Sequence, residues 1–73
     1  MTMTTYANLL RLTLEIGELT QAEYAALIGV RQSTVHRWLS CKSRPTVLLA
    51  LRIARAGGPP ATLLYPELEE VAA

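Results

Sequence analysis

Seventy-three residues, 51% of them apolar, suffice for one small domain and leave no room for a second core or a separate substrate domain. A net charge of +1 argues, taken whole, neither for a strongly basic nucleic-acid binder nor for an acidic tail protein. One cysteine, Cys41, and one histidine, His36, cannot make an internal disulfide or a zinc site, so no metal or other cofactor is expected.

In chain order, Thr4 or Thr5 caps a first helix running to about Ile16, where Tyr6, Leu9, Leu10, Thr13, Leu14 and Ile16 form an apolar band interrupted by Arg11 and Glu15. Gly17 ends it. Thr20, Gln21, Ala22 and Glu23 then form a capping box, in which the Thr20 hydroxyl accepts from the Glu23 amide and the Glu23 carboxylate from the Thr20 amide. The second helix that this starts has about eight residues and stops at Gly29, which takes the left-handed conformation without steric cost. A third segment, Gln32 to about Ser40, carries Val35, Trp38 and Leu39 at i, i+3 and i+4, a narrow core stripe on a polar helix. Pro45 or Thr46 opens a fourth helix through Leu49, Ala50, Ile53 and Ala54, and Gly57, Gly58, Pro59 and Pro60 end it. The tail, Ala61 to Ala73, sets Leu63, Leu64, Leu68 and Val71 beside Glu67, Glu69 and Glu70, which suits a short fifth helix broken or restarted at Pro66. No alternating strand pattern of useful length appears, so the expected fold is all-α, with four to five short helices.

The apolar runs Leu9 to Ile16 and Val47 to Ala54 fall well short of the roughly 20 residues that span a bilayer. The threonine-rich start, Met1 to Tyr6, has no basic stretch ahead of an apolar one and reads as a mature start rather than a signal peptide. A cytoplasmic protein with no membrane contact is therefore expected. Cys41 reads there as a small, half-buried hydrophobe rather than a reactive thiol.

The most informative spacing lies between residues 21 and 38. Gln21, Ala25, Gly29, Val35 and Trp38 fall where two short crossing helices need, in turn, a phosphate-facing amide, a small contact residue, a sharp turn and two core plugs. This pattern resembles the helix-turn-helix of the lambda-repressor and Cro-like family of phage and bacterial DNA-binding proteins, and the likeness covers about residues 5 to 56. It implies a DNA-binding domain over residues 1–58 and a short tail, 59–73, as a candidate dimerisation segment. It also implies that Gln32 to Trp38 lie in the recognition helix, whose first residues enter the major groove. Gln32 and Ser33 are then the positions that reach base edges, with Arg31 just ahead and Arg37 one turn on. Gln pairs bidentately with adenine, Arg with guanine, and Ser with several edges. His36 stands with them, although an exposed histidine is more often solvated or phosphate-facing. Trp38 and Tyr24 are expected to pack rather than to touch DNA. Phosphate contacts fall to Thr20, Gln21, Ser40, Lys42 and Arg44.

Many members of the family close the recognition helix with Asn-Gly, and here those places hold Ser40 and Cys41. A left-handed Cys41 costs about 1 kcal/mol, so the helix is expected to end differently or to run slightly longer. Charge, once located, agrees with the resemblance. Residues 1–30 sum to −2, residues 31–58 to +6 without a single acid, and residues 59–73 to −3.

With about 15 residues beyond the module, no catalytic apparatus and no pocket for a small-molecule effector are expected. The implied function is a sequence-specific repressor of phage, prophage or plasmid type, bound to double-stranded DNA in the bacterial nucleoid. It would act as a homodimer on a pseudo-palindromic operator with half-sites roughly 34 Å apart. Leu63, Leu64, Leu68 and Val71 are the candidate dimer surface, together with whichever of Val47, Leu48 and Leu51 the core leaves exposed. The alternatives are an antitoxin that also binds a toxin, and a protein-interaction module that kept the fold without DNA.

Overall fold

A computed structural model describes the backbone of residues 3–72 and the side chains of residues 3–69. It contains α1 (Met3–Gly17), α2 (Gln21–Ile28), α3 (Gln32–Leu39), α4 (Val47–Arg55), a single 3-10 turn (Ala61–Leu63) and α5 (Glu67–Ala72), with no strand among the described residues. The fold is all-α. Tyr6, Leu10 and Leu14 recur at i+4 along α1 and bury one stripe of it. Met3 packs against the same core, so the helix is already formed there, and Thr4 and Thr5 lie inside its first turn rather than at its cap.

The end of α1 also differs from expectation. Gly17 is still helical, and Glu18 takes the left-handed turn at φ 54°. The Leu19 amide then bonds back to the Leu14 carbonyl at 2.9 Å, which folds Leu19 onto the core. A Cβ at Gly17 would stand 3.3 Å from Leu19 Cδ1, so the glycine makes room for that fold-back rather than the turn itself.

The capping box forms as read: the Glu23 amide donates to Thr20 Oγ1 at 3.1 Å and the Thr20 amide to Glu23 Oε1 at 2.9 Å. α2 stops at Gly29, φ 89°. On α4, Thr46 is the cap residue, its hydroxyl accepting from the Leu49 amide at 3.4 Å, and Gly57 takes φ 87° just past the end. α1, α2, α3 and α4 surround one core whose largest fully buried side chains are Trp38, Tyr6 and Tyr24. The tail closes that core: Leu64 joins it, and the Tyr65 hydroxyl donates to the Pro45 carbonyl at 2.7 Å.

Candidate nucleic-acid interface

Two faces divide α3. Val35, Trp38 and Leu39 are buried, while Gln32, Ser33, His36, Arg37 and Ser40, at i, i+1, i+4, i+5 and i+8, are exposed on the opposite side. Arg31, the residue capping the helix start, is exposed as well. The five residues expected to face bases thus lie together, at the start of α3 and along its outer face. No side chain caps that start and no acid occupies its first turn. The Arg31 carbonyl takes the Thr34 and Val35 amides, and the Gln32 and Ser33 amides find no acceptor among the described residues. Such a terminus offers donors and positive potential to an anion.

α2 holds this helix in place. Gly29 and Val30 both donate to the Ala25 carbonyl, at 2.8 and 2.9 Å, and the turn swings the chain through Arg31 into α3. Ala25 is buried at the helix crossing, where a larger side chain would hold the two helices apart. Unlike α3, α2 has a closed start. The Thr20 hydroxyl is already an acceptor for Glu23, and the Thr20 amide, then its side chain, hold the Glu23 carboxyl below the usual carboxylate range. A fixed carboxylate therefore stands at the α2 terminus, and of the two phosphate candidates there, Gln21 is the better placed to donate. Its side chain is half-buried.

At the other end of α3 the left-handed residue is Cys41 itself, at φ 60°. The expectation that the helix would end otherwise is overturned. Lys42 donates to the Arg37 carbonyl at 2.9 Å and Cys41 to Trp38 at 3.1 Å, and these bonds, with Trp38 and Leu39 buried just before, outweigh the steric cost. The thiol is exposed rather than half-buried, because the turn carries it off the packed face. Ser40 Oγ lies 3.4 Å from His36 Nε2, so these two candidates contact each other. Lys42 and Arg44 are exposed, and the Arg44 guanidinium sits over the Tyr65 ring, 5.0 Å from its centroid.

Two residues matter here that the spacing did not single out. Arg11 reaches from α1 to donate to the Leu39 carbonyl at 3.0 Å, and Arg52 reaches from α4 to the Ile28 carbonyl at 3.5 Å. Each places a cation at the negative end of one helix of the pair. The signal for Arg11 was its position as a lone base within the apolar band of α1.

Of the tail residues expected at a dimer surface, Leu64 is 8% exposed and buried in the chain's own core. Leu63 and Leu68 are half-buried, the side chain of Val71 lies outside the described residues, and Val47, Leu48 and Leu51 of α4, expected there if the core left them free, are all exposed, Leu48 the most at 61%.

A short helix with a packed inner face and an open, acid-free start, set by a left-handed glycine against a preceding helix of eight residues, is a helix-turn-helix for binding DNA. The family model described as Helix-turn-helix matches residues 10–62, more than two thirds of the chain, and takes in all of α2, α3 and α4. The chain belongs to this lambda-repressor and Cro-like family of DNA-binding regulators. No curated protein and no solved structure matches it. Among the described residues no helix is long and apolar enough to cross a membrane, and no group of three or more His, Cys, Asp or Glu could hold a metal ion.

Proposed function

We propose that the chain is a sequence-specific transcriptional repressor that binds a pseudo-palindromic operator as a homodimer and occludes a promoter. Residues 1–58 read the DNA, with α3 in the major groove. Gln32, Ser33 and Arg37 meet base edges, Arg31 and His36 lie at the margin of that contact, and Gln21, Ser40, Lys42 and Arg44 hold phosphates. The observation that carries this reading is the two-faced α3: its exposed side is wholly polar or basic, and its first amides are free to donate.

The test uses a duplex selected from a random pool by the wild-type protein, compared with unselected duplex. Gln32→Ala and Arg37→Ala are each expected to lose about 1–3 kcal/mol of preference for the selected duplex. Lys42→Ala is expected to weaken both duplexes alike and to lower the log-log salt slope by about one. Equal losses on both duplexes for Gln32→Ala and Arg37→Ala would remove α3 as the reading element.

A further inference from the structure

We propose that a second copy of this chain docks on the face formed by the carboxyl half of α1, Leu27 of α2 and the end of α4, rather than on the tail. This deepens the homodimer reading and rests on it. Ile16 is 77%, Leu27 59% and Leu12 48% exposed, a large apolar area for so small a chain. A groove of about 410 Å3 runs from Leu12 and Ile16 to the turn Ala56–Pro60. A second hollow, lined by Leu27, Arg52 and Arg55, adjoins it at Ala56, which lines both.

Charge selects the occupant. Glu15, exposed and three residues from Leu12, lies on the flank of α1 away from the groove, whose α1 lining includes Leu12, Thr13 and Ile16, and it forms the acidic edge of the face. Arg55 forms the basic edge, and neither has an ion-pair partner among the described residues. In a two-fold association, residue i of one copy meets j of the other and j meets i. An apolar strip with an acid at one edge and a base at the other is therefore complementary to itself, each Glu15 meeting Arg55 of the second copy. The tail makes a poorer surface: Leu64 is spent in the core, and Leu63 and Leu68 are half-covered.

Sedimentation equilibrium of the full chain tests this, with circular dichroism to verify folding of each variant. Both charged positions are exposed, so their substitution leaves the core untouched. Glu15→Lys or Arg55→Glu alone sets like charges against each other twice and is expected to weaken the dimer about tenfold or more. Mixing the two variants in equal amounts, or combining both changes in one chain, restores opposite charges and is expected to restore dimerisation. Ile16→Glu is expected to give monomer. If the dimer survives Ile16→Glu and both single charge changes but is lost in Leu68→Glu, the face is wrong and the homodimer stands. A wild-type chain that stays monomeric, with and without the selected duplex, overturns the homodimer reading and this face with it.

Discussion

Two tyrosine hydroxyls, on Tyr6 and Tyr24, lie in the core with no hydrogen-bond partner among the described residues. A buried hydroxyl without a partner has lost its water without replacement, so deleting it costs little. Tyr24→Phe is expected to leave stability unchanged or to raise it by about 1 kcal/mol, read from urea unfolding; a loss above that size would mean that the hydroxyl is bonded. Burial pushes the Tyr24 phenol up to about 12, and burial, then the neighbouring Tyr24 and Tyr65, push Tyr6 up as well. The folded chain therefore keeps protons that the unfolded chain releases above about pH 10. The stability held through these tyrosines is full below about pH 10 and is lost as pH rises toward the folded values. Tyr24→Phe should flatten that alkaline decline. At Cys41 the left-handed backbone argues for a gain on substitution. Cys41→Gly is expected to stabilise by about 1 kcal/mol, and a loss would place the turn elsewhere.

At the scale of elements, α3 is fixed by its packed face, by the turn from α2 and by the Arg11 bond to the Leu39 carbonyl. Arg11→Met keeps the apolar stem and removes the donor. It is expected to cost about 1–2 kcal/mol of stability and to weaken binding to selected DNA, with the salt slope unchanged. A slope lower by about one would instead make Arg11 a phosphate ligand. The helices themselves were legible because their signals are local: the Thr20 and Glu23 box, Gly29, the Val35, Trp38 and Leu39 stripe, and Thr46 ahead of α4 all act within four residues. What escaped was non-local. Met3 is helical because of a core formed by distant residues, and Glu18 and Cys41 turn left-handed because burial of Leu19, Trp38 and Leu39 outweighs residue preference. The partners of Arg11 and Arg52 lie 28 and 24 residues away, beyond any periodicity. The exposed face of α3 was legible for the converse reason, since a polar run opposite a three-residue core stripe can face only outward.

For the whole molecule, the +6 of residues 31–58 does not act as one block. Arg31, Arg37, Lys42 and Arg44 belong to α3 and the loop after it, whereas Arg52 and Arg55 line a hollow beside Leu27 and Ile28 at the carboxyl end of α2. Four bases on α3 and its loop and two at the carboxyl end of α2 are the cations that the proposed function assigns to DNA and the proposed docking face to a second copy. The most direct test is to titrate the labelled protein with selected duplex and follow its backbone amide resonances. The largest changes are expected at Arg31 to Thr34, at Gln21 and at Lys42, with Leu12, Ile16 and Leu27 moving only as the dimer equilibrium moves. Changes centred on α1 and the end of α4, with Gln32 and Ser33 unmoved, would contradict the account.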